Sequence, residues 1–376
     1  MILSKITNDE FNSFIEGHEQ ASFLQTVELG ELKKDSGYKI HLVGLKDNNK
    51  LVAVSLLLER KIFLNKSTFY APRGFIIDYQ NKQLLSEFTN QIKKYIYDNN
   101  GFMIIIDPNV IYNIRTSDGD LIDGNIPNDS AISNLIDLNY KFYGFNNFFE
   151  TTQARWSYIV EANKNYEQIR ANFSKSTKKN IDIVYKKGVV VKQVGDDQLP
   201  IFTSILAETA KRKEFDSHSL SYYQNFYKYL KKHTVLYMAY IDTNIYYDNS
   251  LINLKTEEEN NKLILEKMNR EKVGSNLKNQ LEISNRLIEK YKEELTKALD
   301  LKNNKMDLIP IGALLSVKSG NEYITLSSGY LEKYKEFMPK YALYDQHIKD
   351  ALNWGFKIIN FYGIAGDFNK NNKYYG

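Results

Sequence analysis

Apolar residues along this chain fall into short runs and helical spacings whose order occurs twice. In the first half the spacing predicts helices over Asn8–Glu16 and Thr26–Lys34. Strands follow at Tyr38–Leu45 and Val52–Arg60, around a turn at Asp47-Asn48-Asn49. A helix over Lys82–Tyr97 stops at Asn99-Asn100-Gly101, and Phe102–Ile106 reads as a buried strand ending in Asp107-Pro108. The second half predicts helices over Leu199–Lys213 and Ser221–Lys231, then strands at Thr234–Asp242, Gly312–Val317 and Tyr323–Ser328, with a turn at Ser319-Gly320-Asn321. A helix over Tyr341–Trp354 closes on Gly355 before the buried strand Lys357–Phe361. The two closing segments share letters: Asn99-x-Gly101-Phe102-x-Ile104-Ile105 beside Asn353-x-Gly355-Phe356-x-Ile358-Ile359. A duplicated α/β domain is the expectation. The linking stretch Phe149–Tyr185 carries a strand (Arg155–Val160) and a basic helix.

One long stretch interrupts the repeat. Between Ser250 and Lys305 the chain is polar, heavily charged and helical, where a hairpin turn would join Thr234–Asp242 to a strand at Ile309–Val317. A break at Val273-Gly274-Ser275-Asn276 divides it into two helices. Leu265, Met268, Leu277, Leu281, Ile288, Tyr291, Leu295 and Leu299 offer a narrow apolar seam, as in an antiparallel coiled-coil hairpin. The expected division is a first α/β domain over 1–148, a second over 149–245 and 308–376, and a helical arm over 246–307. Such an arm is either a solvated hairpin that stiffens its domain or meets a partner, or a handle for a large substrate such as RNA. Its near-balanced charge (Glu257, Glu258 and Glu259 against Lys262, Lys267 and Arg270) counts against RNA as its main contact.

With 376 residues the chain is long enough for two cores, and 43% apolar with 26% charged residues is ordinary for a globular protein. A net charge of +4 does not by itself announce a nucleic-acid binder. The absence of cysteine excludes disulfides, thiol catalysis and cysteine-ligated metals. The longest apolar runs, Val52–Leu58 and Phe102–Ile106, are of strand length. The opening MILSKITNDEF lacks the basic-then-apolar order of a signal peptide, so a cytoplasmic protein is expected. His18, His41, His218, His233 and His347 show no ligand spacing, and no catalytic triad is visible.

The segment Asn360-Phe361-Tyr362-Gly363-Ile364-Ala365-Gly366-Asp367-Phe368 resembles the NFYG-x-x-G-x-F signature of the FemABX peptidoglycan aminoacyltransferases. Ala71-Pro72-Arg73-Gly74 with Asp78-Tyr79, Ile106-Asp107-Pro108, and Lys175-Ser176-Thr177-Lys178-Lys179-Asn180 followed by Lys186-Lys187-Gly188-Val189 carry the same resemblance. It covers essentially the whole chain, and the arm marks the FemA/FemB-like branch. The resemblance implies two acetyltransferase-like (GNAT-type) α/β domains plus the arm. It also implies transfer of glycine, serine or alanine from aminoacyl-tRNA to an amine of a peptidoglycan precursor, either lipid II or UDP-MurNAc-pentapeptide, without cofactor or metal. Homo- or heterodimers with related enzymes and contact with the inner membrane face are further expectations. The family usually runs on past this signature through an aromatic-Phe-Lys stretch holding a lysine thought to matter for catalysis; here the sequence ends at Tyr374-Tyr375-Gly376. In place of an arginine that some relatives set on the substrate diphosphate stands His218-Ser219-Leu220-Ser221.

An aminoacyl ester is already activated, so such an enzyme need only hold an amine near the ester carbonyl, let it lose a proton and stabilise the oxyanion. Asp107, at a strand end, either orients or deprotonates the amine or merely forms a turn before Pro108. Lys33 matches a lysine that relatives place on the precursor's diphosphate; otherwise it is a solvated helix-end lysine beside Lys34. Arg73 is suited to a phosphate or carboxylate, or to a structural ion pair with Asp78 or a nearby carboxylate. Tyr223 matches a position near the substrate, or is core. Lys175, Lys178, Lys179, Lys186 and Lys187 form a patch for tRNA phosphates or a solvated helix, with Lys211-Arg212-Lys213 a weaker second patch. Gly363 and Gly366 bracket a turn after the last strand. Two other functions stand beside transfer from tRNA. An acyl-CoA N-acyltransferase is disfavoured because the Arg/Gln-x-x-Gly-x-Gly/Ala loop is missing. A non-catalytic immunity or scaffold protein would bind sister enzymes through the arm.

Overall fold

The computed structural model describes residues 1–124, 127–145, 153–270, 274–304 and 306–372. Phe149–Thr152 of the predicted linking stretch, Val273 of the arm's break, Lys305 and Tyr374–Gly376 lie outside the described residues. The first sheet holds β1 (Ile2–Lys5), β2 (Lys39–Asp47), β3 (Lys50–Lys61), β4 (Ser67–Ala71) and β5 (Gly101–Ile106), in that spatial order. Helices α1 (Asn8–Ile15) and α2 (Val27–Asp35) connect β1 to β2, and α3 (Lys82–Asp98) connects β4 to β5. A short helix, α4 (Asp129–Asp137), follows. The second sheet begins with β6 (Trp156–Glu161), then α5 (Tyr166–Ala171), α6 (Lys175–Lys186) and β7 (Val189–Val194). Next come α7 (Leu199–Lys213), α8 (Leu220–Leu230) and β8 (Thr234–Asp242). The arm is α9 (Thr243–Arg270) and α10 (Ser275–Asn303), followed by β9 (Leu308–Ser319), β10 (Glu322–Tyr330), α11 (Pro339–Asn353) and β11 (Ile358–Ile364).

The duplication runs deeper than the sequence predicts. Strands β1 to β5 pair antiparallel three times and then parallel once, and β7 to β11 repeat that series. Two helices sit after the first strand and one before the last in both halves. Strand β6 adds one antiparallel edge to β11. Three strands escape the sequence reading: β1, β4 and β7. Each is short, and β4 alternates without a charged outer face, so nothing separates it from loop by pattern alone.

The arm replaces a two-residue turn. Asn48 and Asn49 both take left-handed φ (46° and 68°), the backbone that a tight β2–β3 hairpin demands. At the matching β8–β9 position Thr243 clamps the arm's base instead. Its amide donates to the Asp307 carbonyl (3.0 Å) and its hydroxyl to the Met306 carbonyl (3.1 Å). The seam departs from the predicted one. Leu254, Ile264 and Ala298 are buried in it, whereas Leu265 and Leu299 are 44% exposed. At its middle lies a polar layer: Ser284 donates to Glu257 (2.6 Å) and accepts from Asn261 (3.1 Å). The 4–3 spacing of Leu277, Leu281, Ser284, Ile288, Tyr291, Leu295 and Ala298 explains the outcome on α10, since Ser284 and Ala298 occupy seam positions and Leu299 does not.

One core spans both sheets. It joins Leu42, Leu56 and Leu58 of the first to Leu236, Met238 and Leu315 of the second, through Leu29, Phe202, Tyr223 and Phe226 of the intervening helices. The Phe23 amide also donates to Ser319 Oγ (3.0 Å) across the junction. With this much shared apolar surface the two halves pack as one unit, so residues from each can build a common site.

Candidate active site

Strand β4 runs into a tight turn in which the Gly74 amide donates to the Ala71 carbonyl (2.9 Å). Arg73 stands in that turn at φ +61°, a left-handed conformation unfavourable for a side chain of this size. Three contacts hold it there. The Arg73 amide donates to Oδ1 of Asp107 (2.6 Å), its carbonyl accepts from the Asn109 amide (3.0 Å), and Gln25 Nε2 donates to the Pro72 carbonyl (2.7 Å). Gly74 is required by close approach: a Cβ there would lie 2.7 Å from Pro108 Cα. Asp107 is 1% exposed, and its other oxygen accepts from the Tyr70 hydroxyl (2.9 Å). Burial pushes its pKa up, against the pull of Tyr70 and Arg73. Both carboxylate oxygens therefore face protein donors, and Asp107 acts on the turn. The pairing of Arg73 with Asp78 does not form; Asp78 receives the Gln80 amide.

The second sheet supplies the facing wall. Between Asn360 and Gly363 the register of β11 against β6 shifts, and Tyr362 takes φ +64°. Asn360 holds this bulge, accepting from the Tyr362 amide (2.7 Å) while its Nδ2 donates to Glu322 (2.8 Å). The bulge carries the Tyr362 hydroxyl to Gln153 Oε1 (3.0 Å) and to the Arg73 guanidinium, which also donates to the Ala154 carbonyl (3.2 Å). Burial raises the Tyr362 pKa and Arg73 opposes it. Gly363 lies inside β11, paired with Ser157, rather than in a turn beyond it. Gly366 (φ +67°) does turn, and a Cβ there would meet Trp156 at 2.0 Å.

From Tyr362 the site continues onto α8. Tyr222 lies close enough for the two hydroxyls to disfavour each other's ionisation, and burial first, then Tyr223 and Tyr362, raise it to about 12. The His218 ring stacks on Tyr222 with centroids 3.9 Å apart. Loss of water, then the nearby Lys33 ammonium, holds His218 below the ordinary imidazole range. Lys33 is lowered by burial. Tyr223 is itself buried, edge-on to Phe202 with centroids 5.0 Å apart, and belongs to the shared core. Lys33, His218, Tyr222, Tyr362, Arg73 and Asp107 thus form one line across the junction. It leaves the first half of the chain at Lys33, runs through the second at His218, Tyr222 and Tyr362, and returns to the first at Arg73 and Asp107, which is why no local motif reveals it. The sequence reading does not assign Asn360, Tyr362, His218, Tyr222 or Tyr70 to the site: the first three stand inside quoted segments and the last two beside Tyr223 and Ala71, and that placement is the available signal.

The basic helix divides. Lys175, Lys179 and Lys186 are exposed. Lys178 donates to the Ala171 carbonyl (2.6 Å) at the end of α5, and Lys187 donates to the Glu336 carbonyl (3.2 Å) over the Phe337 ring. In the second patch Arg212 pairs with Glu332 (3.2 Å) and covers the Tyr330 ring.

The chain matches the FemAB family over residues 6–376. It is 31% identical over 376 residues to the aminoacyltransferase FemA of Staphylococcus epidermidis, covering 98% of this chain and 89% of that protein. To FemA of Staphylococcus aureus it is 30% identical over 382 residues, covering 98% and 88%. The crystal structure of FemX superposes with a TM-score of 0.79 at 22% identity, over 100% of this chain and 92% of that one, which shows the shared fold. The two matched sheets, the inserted arm and the motifs around Arg73 and Tyr362 therefore sit in a chain that belongs to the FemAB family.

Proposed function

We propose that the chain is an aminoacyltransferase that takes glycine, serine or alanine from aminoacyl-tRNA and joins it to the stem-peptide or bridge amine of a peptidoglycan precursor, lipid II or UDP-MurNAc-pentapeptide. The observation that carries this reading is the line from Lys33 to Asp107 across the junction, in a chain 31% identical to FemA. In the reaction the amine nitrogen forms a bond to the ester carbonyl carbon and the carbon–oxygen bond to the tRNA ribose breaks. The amine's proton ends on the ribose hydroxyl. Lys33 is a point charge for the acceptor's diphosphate. Arg73 offers N–H groups toward charge that grows on the carbonyl oxygen, and the Tyr362 hydroxyl, anchored on Gln153, holds the guanidinium in place. Asp107 works from behind by holding the Arg73 turn, and Tyr223 by packing behind Tyr222. Lys175, Lys179 and Lys186 meet tRNA phosphates, with Lys178 and Lys187 supporting the same surface. This reading takes 1–148 as the first domain, 149–245 with 308–376 as the second, and 246–307 as the arm. It places the protein in the cytoplasm beside the inner membrane face, alone or paired with a related enzyme.

The test offers glycyl-, seryl- and alanyl-tRNA in turn with lipid II carrying zero, one or three bridge residues, and with the soluble nucleotide-linked acceptor. Transfer in one combination names donor and acceptor. A folded protein silent in all of them overturns the enzymatic reading in favour of a non-catalytic family member that binds sister enzymes.

A further inference from the structure

The turn between β3 and β4 breaks the rule that surface loops are polar. It reads Arg60-Lys61-Ile62-Phe63-Leu64-Asn65-Lys66, and its three central apolar side chains are 45%, 65% and 84% exposed. Single exposed apolar residues are common, but three in succession at a hairpin tip are not explained by folding. The tip is closed by the Ile62 amide donating to the Lys66 carbonyl (2.9 Å) and the Lys66 amide to the Phe63 carbonyl (2.8 Å). Leu64 takes φ +46°, where glycine or asparagine would be the easier choice. The base is rigid. Ser67 donates to Glu59 (2.7 Å), Glu59 also meets His41 (2.7 Å) and Lys39 (3.0 Å), and the Ser67 amide donates to the Asn100 carbonyl (3.0 Å). Exposed Phe102 and Tyr97 stand at the same end of the first sheet.

We propose that this hairpin tip is a membrane-docking finger: Ile62, Phe63 and Leu64 enter the headgroup–acyl boundary of an anionic bilayer while Arg60, Lys61 and Lys66 meet lipid phosphates. The occupant follows from charge. Cations flank the apolar tip on both sides, and no acid lies between Arg60 and Lys66. Glu59, the nearest acid, is buried and shared by Ser67, His41 and Lys39. No described helix is long and apolar enough to cross a membrane, so attachment through helices would have to be peripheral. The finger and the proposed diphosphate lysine share one end of the molecule. The Tyr38 amide donates to the Lys33 carbonyl (3.1 Å), and the Arg60 guanidinium lies over the Tyr38 ring at 5.8 Å. Asp107 stands at the other end of β5, about 20 Å away at roughly 3.3 Å per residue. A lipid-linked acceptor could keep its diphosphate at the bilayer and extend its peptide amine along the sheet to Arg73. That purpose rests on the proposed function; the docking does not.

The experiment sediments the full chain with vesicles of phosphatidylcholine alone or mixed with phosphatidylglycerol. Binding to the anionic vesicles, lost at high salt, is expected. The triple variant Ile62→Ser, Phe63→Ser, Leu64→Ser should keep its thermal melt and its transfer to a soluble acceptor, yet bind anionic vesicles at least tenfold more weakly. Lys61→Gln and Lys66→Gln should each weaken binding about fivefold. In Phe63→Trp, emission should shift blue on binding and be quenched by brominated lipid. The proposal is overturned if the wild type fails to bind anionic vesicles at low salt, or if the triple variant binds as well as the wild type. It is equally overturned if the indole introduced by Phe63→Trp stays unquenched while the protein binds, or if the triple variant loses a dimer instead. Absent transfer with intact vesicle binding would remove the proposed function and leave the finger.

Discussion

The Arg73 amide donates to Asp107 Oδ1 across 2.6 Å, and that bond fixes a left-handed arginine between the two halves of the molecule. Through it a carboxylate that is 1% exposed governs a guanidinium that reaches Tyr362 on the opposite sheet. The same carboxylate would be a poor base for an incoming amine, because both oxygens already face donors.

Asp107→Asn and Asp107→Ala separate these roles. Asparagine retains an oxygen for the Arg73 amide and should keep transfer within about tenfold, whereas a general base lost to asparagine costs about 10²- to 10⁴-fold. Alanine strands a buried amide and a tyrosine hydroxyl, and should cost roughly 2–4 kcal/mol of stability. Transfer rates and melting curves of both variants decide it. Equal inactivity of two folded variants would make Asp107 the base.

Lys33→Ala should raise the KM for the acceptor about tenfold and leave tRNA affinity unchanged, as expected for one lost phosphate contact. Burial lowers the Lys33 pKa, so its charge is lost at a lower alkaline pH than an ordinary lysine's. Acceptor binding should weaken on that limb in the wild type and not in the variant. Unchanged acceptor affinity would remove Lys33 from the site.

Neutralising Lys175 and Lys179 together should reduce the slope of log affinity for tRNA against log salt by roughly 1.5, at about 0.7–0.9 per phosphate contact. Lys178→Ala should change that slope little and instead cost about 1 kcal/mol of stability, because its ammonium caps the end of α5. A salt slope that ignores the double variant would return α6 to a solvated helix.

His347 makes the fold acid-sensitive. Its ring is fully buried against Tyr323 (centroids 4.2 Å apart), Nδ1 pairs with Ser316 (2.9 Å), and burial lowers its pKa to about 3. Unfolding lets the imidazole take a proton at its ordinary value, so between about 3 and 6.5 the unfolded chain binds more protons. Stability should be fully present above that window and fall as pH drops through it, by roughly 3 kcal/mol at pH 4. His347→Phe, which keeps the stack, should flatten that dependence in denaturant titrations at pH 7 and pH 4. Parallel losses in both proteins would exclude His347 as the cause.

Much of the fold is legible without coordinates. Helix α7 and strand β8 have the predicted ends, because Pro200 in the first turn of α7 and the apolar spacing of both elements agree there. Strand β4 is not legible, since five residues of mixed character become a strand only through partners on β3 and β5. The arm is visible as a charged helical insertion, yet its seam is not. Ser284 and Asn261 lie in it because the opposite helix satisfies them, and Leu299 lies outside it by one position.

The order of the longer helices and strands, the duplication, the place of the arm and the motifs that carry the family follow from the sequence alone, because periodicity and turn chemistry act over a few residues, whereas β1, β4 and β7 do not. The tertiary structure decided which chemistry those motifs perform. Asp107 turned inward to Arg73, Tyr223 entered the core and left Tyr222 at the site, and Lys178 was drawn to a helix end while Lys175 stayed free of it. Asp107 and Tyr223 depend on partners distant in sequence and Lys178 on the end of the preceding helix, and hydrogen-bond satisfaction of a buried group is settled only when such elements pack together.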